Sequence, residues 1–301
     1  MEDKNKPVVS ICCLTYNHAP FIRKCLDGFL MQETSFPIEI LIHDDASTDG
    51  TDKIIREYET KYPDIIFPVF EAENQYSKPG HQHMDLYNYT RAKGKYIAYC
   101  EGDDYWTDPL KLQKQVEFME THPEYSVCWH RFYILYADSK ELTSDSCGEL
   151  FHNSDAPGVD IDVRTCFSGW YTQPLTMVFR RSMYDFGWIG KYKHYKDDHE
   201  VYHLLSEGKG HLLNFNGGVY VIHGGGIFGS LDNQKQSEIS CDVAEELYNN
   251  NKNEYTKEYY YRTLRWAWEQ HQNCPYMKLL YSWRMLLLNR NFRSFAKRLF
   301  H

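Results

Sequence analysis

The sequence predicts an α/β protein: a mostly parallel sheet covered by helices, followed by a helical extension. Three observations carry that prediction. Short apolar runs alternate with amphipathic stretches of helical period through the N-terminal third. Polar clusters follow three of those runs. From about Gln234 onward only helical patterning remains.

Val8 to Leu14 is a continuous apolar run, as a strand buried on both faces requires, and it leads into Thr15-Tyr16-Asn17-His18. Pro20 to Gln32 fits a helix with Phe21, Ile22, Cys25, Leu26, Phe29 and Leu30 on one face. Ile38 to Ile42 is the second strand, ending in His43-Asp44-Asp45 and a turn-rich loop, Ala46 to Gly50. Thr51 to Tyr62 forms the next helix, with Asp49 as its cap, and Ile65 to Phe70 a third strand. Met84 to Lys93 is helical and stops at Gly94. Tyr96 to Cys100 is the fourth strand, followed at once by Glu101, Asp103 and Asp104. Strands joined through helices lie parallel, and parallel sheets bind ligands at the carboxyl ends of their strands. The three polar clusters fall at three such ends.

Asp108-Pro109 opens a helix to about Thr121, and Tyr125 to Tyr136 reads as a strand. Ala137 to Asp162 reads as a loop-rich excursion. Short strands are expected at Thr176 to Phe179 and Gly218 to His223, with a helix at Glu200 to Glu207 between them. Two helical segments follow, Ala244 to Glu269 and Pro275 to Phe300. The expected domains are 1–233, with halves at about 1–105 and 106–233, and a helical extension, 234–301.

Composition narrows the function classes. A formal charge of -9 argues against a general nucleic-acid binder. A hydrophobic content of 42% argues against disorder. Nine scattered cysteines without a Cys-x-x-Cys pair suit reduced thiols in the cytoplasm. No apolar run reaches the length of a membrane span. Tyr276 to His301 nevertheless holds six bases and no acid among many apolar residues. Two readings stand for it: peripheral contact with anionic lipid on the inner face of the cell membrane, or a helix packed on the domain with its basic face in solvent.

Carboxylates packed at a strand end repel one another, and a divalent cation that takes oxygen ligands relieves that repulsion. An acidic surface turn is the other reading of Glu101, Asp103 and Asp104 taken alone. Gly-x-Gly-x-x-Gly and the P-loop pattern are both absent, which disfavours those nucleotide sites.

Taken together, the motifs resemble the family 2 glycosyltransferases, inverting enzymes with a GT-A-type fold, over roughly residues 7–225. Val8 to Asn17 resembles the family's first strand and its Thr-Tyr-Asn-like ending. Ile40 to Thr51 is similar to the nucleotide-binding Asp-Asp-x-Ser-x-Asp-x-Thr segment. Ala92 to Trp106 resembles the Gly-Lys-Tyr-Ile strand with its Asp-x-Asp metal motif, except that Glu101 replaces the first Asp.

The resemblance implies a nucleotide-sugar donor, with uridine diphosphate as the nucleotide, and a glycan or lipid-linked acceptor in cell-surface polysaccharide synthesis. Asp44 and Asp45 would bind base and ribose, with Thr15 and Asn17 framing the base and Tyr16 stacking on it. Glu101 and Asp103 would also face the donor. Asp103 and His223 would hold Mn²⁺ or Mg²⁺, with Asp104 orienting the ligands. Asp198, in Lys196-Asp197-Asp198-His199-Glu200, would be the catalytic base, with Asp197 supporting it. Trp170, Tyr171, Gln173, Thr176 and Arg180 lie where such enzymes contact the acceptor. The Gln-x-x-Arg-Trp signature of processive synthases is absent, which points to transfer of a single sugar. Two alternatives fit the sequence less well. A nucleotide-sugar pyrophosphorylase needs a Gly-rich basic loop after the first strand, where Thr15 to His18 stands. A non-catalytic acid-pair nucleotide- or metal-binding module explains Asp44-Asp45 but not the later acids.

Overall fold

The computed structural model of the protein describes residues 6–78, 85–151, 155–169, 171–226 and 228–289. The chain forms two compact units, Met1–Gly187 with Glu200–Ile222, and Trp188–His199 with His223–His301. The segment carrying Asp197 and Asp198 therefore groups with the C-terminal helices.

The first unit is built on one sheet. Its first four strands are β1 (Val9–Thr15), β2 (Ile38–Asp44), β3 (Ile66–Phe70) and β4 (Tyr96–Tyr99), with helices α1 (Ile22–Leu30), α2 (Thr51–Lys61) and α3 (Asp85–Arg91) between them. The strands β5 (Tyr105–Trp106), β6 (Tyr125–Tyr136), β7 (Glu141–Ser144), β8 (Gly158–Ile161), β9 (Val178–Arg180) and β10 (Lys209–Ile222) complete it. Helices α4 (Lys111–Thr121), α5 (Val163–Cys166) and α6 (Asp197–Glu207) punctuate this half. The order is β3-β2-β1-β4-β9-β6-β10-β5, with β7 on β6 and β8 on β10.

β1 pairs in parallel with both β2 and β4. The chain thus steps outward from β1 to β3 and then returns to the other side of β1. That reversal splays the loops after β1 and β4 and opens a crevice at their carboxyl ends. β9 inserts antiparallel between β4 and β6, so the sheet is mixed although mostly parallel. The core is made where β1, β2 and β4 meet α1 and α4: Ile11, Cys13, Leu26, Phe29, Ile40, Ala98, Leu112 and Val178 are all fully buried.

Several elements differ from the sequence expectation, each for a physical reason. The strand expected at Gly218 is the second half of β10, which begins at Lys209. Register shifts between Leu213, Asn216 and Gly218 break the alternation on which strand patterning depends. The stretch 137–162 contains β7 and β8 at the edges of longer strands, where pairing rather than apolar pattern supplies the order. The segment read as helical from Ala244 to Glu269 is two helices, α7 (Asn233–Asn250) and α8 (Glu254–Gln270). Asn253 breaks it by capping α8: its side chain accepts from the Thr256 N–H, and the Thr256 side chain binds back to the Asn253 backbone.

Arg180 is a correction. It pairs with Tyr96, at the end of β4 away from the acids. Its guanidinium donates to the carbonyls of Tyr125 (2.7 Å) and Met119 and to the Tyr96 hydroxyl (3.0 Å). Arg180 is a buried clasp for backbone carbonyls, not an acceptor contact.

In the second unit, α7, α8 and α9 (Pro275–Asn289) bury Cys241, Ala244, Tyr260, Leu264, Ala267, Tyr281 and Met285. α9 packs one face into this core and exposes Tyr276, Leu279, Trp283 and Leu287 on another. The rest of the basic stretch, 290–301, lies outside the described residues. Among the described residues no helix is long and apolar enough to cross a membrane.

Candidate active site

The acidic loop is held from both ends. On its N-terminal side Cys100 N–H donates to Cys12 O (3.1 Å) and Gly102 N–H to Leu14 O (2.8 Å). On its C-terminal side Trp106 is an anchor. The indole N–H donates to Leu175 O (2.8 Å), its ring lies edge-on to Phe29, and the Lys111 ammonium nitrogen sits 3.8 Å from its centroid. Lys111 is fully buried, and burial pulls its amine down to about 7.

Between these anchors Glu101, Asp103 and Asp104 each bring a carboxylate oxygen to within 4.8 Å of the others. Asp104 is buried, and one oxygen accepts the Val221 N–H of β10 (2.8 Å). Burial first, then the charges of Asp103 and Glu101, hold its carboxyl well above the ordinary range. Gly102 lets this loop lie against the β1 loop: a Cβ there would come within 2.6 Å of Thr15 Oγ1 and 3.0 Å of His18 Nδ1. His18 Nε2 lies 3.7 Å from Asp103 Oδ2.

The loops after β1 and β2 are stapled together. Asn17 adopts a left-handed backbone (φ 55°), a conformation Asn tolerates. Its N–H donates to Ser47 Oγ, and its side-chain oxygen accepts the Thr48 N–H, both at 2.8 Å. The Ala19 N–H donates to Asp49 (2.9 Å), whose other oxygen takes the Thr51 N–H and hydroxyl in the first turn of α2. Asp44 is occupied locally. Its oxygens accept the Ser47 hydroxyl (2.5 Å) and N–H (3.2 Å), while burial raises its carboxyl. The Asp45 carboxylate accepts the Gln75 N–H (2.6 Å) on one oxygen and the Tyr76 N–H (3.1 Å) on the other. Each oxygen keeps a second lone pair. Tyr16 is exposed beside these groups in the chain, and Thr15 is buried with its hydroxyl hydrogen-bonded to no protein group.

Thr15, Tyr16, Asn17, Asp44, Asp45, Glu101 and Asp103 therefore all lie at the carboxyl ends of β1, β2 and β4 within the first unit. Gln173 is buried in the same unit, where its carbonyl accepts the Thr176 N–H (2.9 Å) and hydroxyl (2.8 Å). Trp170 lies outside the described residues. His223 is the first residue after β10, and its Nδ1 accepts the Gly225 N–H (3.2 Å).

Asp197 and Asp198 open α6, where the helix dipole favours anions. The preceding segment is packed by its own aromatics: His199 lies against Tyr192 (4.0 Å between centroids) and Trp188 against Tyr195 (5.9 Å). Asp198 is half-buried, and Asp197 still reaches solvent. Burial, then repulsion from Asp197, pushes the Asp198 carboxyl up to about 6, although a hydrogen bond with the Tyr259 side chain opposes the shift. His18 and Tyr259 escaped the sequence reading. A single His after a strand carries no pattern, and nothing in the chain signals a contact between residues so far apart.

Three carboxylates at one strand end, one of them raised by burial and then by its neighbours' charges, fit a hard divalent cation. The donor set is oxygen-rich, with one imidazole nearby.

Comparison with known proteins gives a consistent picture. The family described as Glycosyl transferase family 2 matches residues 10–187. An uncharacterized protein of Mycobacterium tuberculosis is 45% identical over 177 residues, which is 58% of this chain and 47% of that one. An Escherichia coli UDP-Glc:alpha-D-GlcNAc-diphosphoundecaprenol beta-1,3-glucosyltransferase is 36% identical over 116 residues, covering 38% of this chain and 42% of that one. The chain thus spans about half the length, or less, of these curated relatives. Among solved structures, S. aureus TarS 1-349 in complex with UDP-GlcNAc aligns over 93% of this chain and 81% of that one, with a TM-score of 0.62 at 14% identity. That likeness concerns the fold.

Proposed function

Since this chain belongs to glycosyl transferase family 2, we propose that it moves one sugar from a UDP-sugar to a glycan or lipid-linked acceptor, with inversion and with the help of Mn²⁺ or Mg²⁺. The pyrophosphorylase and acid-pair-module readings fall with the family match. The observation that carries the proposal is the convergence of Glu101, Asp103 and Asp104 at the end of β4, against the loop that follows β1. Support for the donor comes from the E. coli relative, named for UDP-Glc, and from TarS, solved with UDP-GlcNAc. Support for a lipid-linked acceptor comes from the same E. coli name.

In this reading Asp45, steadied by the amides of Gln75 and Tyr76, accepts from the base or ribose with its remaining lone pairs. Asp44 holds the loop through Ser47, and Asn17 locks that loop to its neighbour, so Tyr16 is presented on a rigid frame. Asp103 and, by resemblance, His223 would hold the metal, which would supply positive charge against the departing diphosphate. Asp104 fixes the acidic loop to β10. Asp198 takes the proton of the acceptor hydroxyl as it attacks, and direct attack without a covalent intermediate inverts the anomeric centre. Asp197 supports the base, while Trp170 and Gln173 are assigned to the acceptor side.

A thermal-shift panel of nucleotide-sugars tests the donor assignment, because a ligand that binds only the folded state raises its stability by mass action. UDP-sugars should raise the midpoint with Mn²⁺ present and much less without it. A shift with GDP- or CDP-sugars alone, or one indifferent to metal, would count against the assignment.

The exposed apolar face of α9 supports peripheral contact with anionic membrane, since the sequence from Tyr276 to His301 carries bases and no acid. Deleting that segment would unpack Tyr281 and Met285 from the helical core. Trp283→Glu with Leu287→Glu is the cleaner test. Sedimentation with phosphatidylglycerol vesicles should fall several-fold, with helical content unchanged; equal sedimentation removes the membrane from the account.

A further inference from the structure

We infer that His18 is itself a ligand of the divalent ion, sharing it with Asp103, and that this nitrogen donor biases the site toward Mn²⁺ over Mg²⁺. The inference rests on the metal-dependent reading above and deepens it by choosing the ion.

The separation of His18 Nε2 from Asp103 Oδ2, 3.7 Å, is too long for a good hydrogen bond. It is close to the spacing of two donors on one ion. Two metal–ligand bonds of about 2.1 Å meeting at roughly 90–120° place their donor atoms about 3.0–3.6 Å apart. The main chain that carries the imidazole is also fixed in place. Asn17 is pinned to Ser47 and Thr48 on one side of it, and Ala19 to Asp49 on the other. The carbonyl of His18 accepts the N–H groups of Phe21 (2.9 Å) and Ile22 (2.8 Å) at the entrance to α1. The absence of a side chain at Gly102 brings the acidic loop against the ring. A ligand whose main chain is fixed on both sides loses less freedom when it binds.

Ligand type then decides the ion. Mg²⁺ prefers oxygen donors in a near-ideal octahedron and keeps its waters, whereas imidazole is a better donor to transition metals. Carboxylates from Glu101, Asp103 and Asp104 alone would leave the two ions less distinguished. The His18 imidazole, added to them and to the His223 assigned above, tilts the balance further toward Mn²⁺.

The test is a direct one. Mn²⁺ binding to the full chain is titrated by electron paramagnetic resonance, with Mg²⁺ as competitor, for the wild type, His18→Ala and His18→Asp. His18→Ala should weaken Mn²⁺ binding about tenfold or more while affecting Mg²⁺ less, so the Mn²⁺/Mg²⁺ preference falls. His18→Asp should retain an ion but with that preference shifted toward Mg²⁺. Wild-type Mn²⁺ affinity in His18→Ala, or equal losses for both ions, overturns the inference and leaves the metal reading standing. A wild-type chain that binds neither ion overturns both.

Discussion

Asp103→Asn should abolish most metal-dependent donor binding and lower turnover by about 10²–10³-fold. The substitution keeps the size of the side chain and removes its charge. The donor atoms of Glu101, Asp103 and Asp104 all lie within 4.8 Å of one another, and Asp103 also lies 3.7 Å from His18 Nε2, so it belongs to both sets of candidate ligands. Asp104 cannot replace it, because Asp104 is buried and one oxygen is committed to the Val221 N–H. Calorimetric titration with UDP in the presence and absence of Mn²⁺ reads the effect. The wild type should bind far more tightly with the ion, and the variant should show little difference between the two conditions. A variant that keeps the full Mn²⁺ enhancement would place the metal elsewhere.

Asp198→Asn should do the opposite: leave donor binding near wild type and remove turnover by about 10²–10⁴-fold. The pH dependence has a fixed sign. Only the carboxylate can accept a proton, and its value is raised to about 6, so wild-type turnover should rise through pH 6 and level off above it. Below pH 6 it should fall about tenfold per unit. The linked stability effect runs the other way. A carboxyl raised from its ordinary 3.8 favours the fold when protonated, so its contribution is lost as the pH climbs from 3.8 through 6. Asn cannot ionise, and the variant should be no less stable than the wild type at neutral pH. That separates lost catalysis from unfolding. Near wild-type turnover in Asp198→Asn would move the base to another residue.

Much of the first unit was legible in the sequence because its strands are buried on both faces and end abruptly in polar residues. Val8 to Leu14 followed by Thr15 and Asn17, and Tyr96 to Cys100 followed by Glu101, mark both the strands and the crevice. What stayed hidden depends on contacts between distant residues or on broken periods. Asp44 and Asp45 look alike in sequence, yet one is tied to Ser47 and the other to the amides of Gln75 and Tyr76. Arg180 looked like a polar residue near an acceptor, and it is a buried clasp on Tyr125 and Met119. The bulges at Asn214 to Gly218 concealed half of β10. His18 carries no signal in sequence, because only the fold sets its ring beside Asp103.

Product stereochemistry tests the central claim most directly. The full chain, Mn²⁺ and an α-linked UDP-sugar are followed by proton NMR, either with an acceptor or with water as a slow surrogate, before mutarotation intervenes. Direct attack assisted by a single base predicts that the β anomer appears first, and that it appears neither without Mn²⁺ nor with Asp198→Asn. An α product would contradict the mechanism, and release of sugar at the same rate without the metal would contradict the role given to the acids at the end of β4.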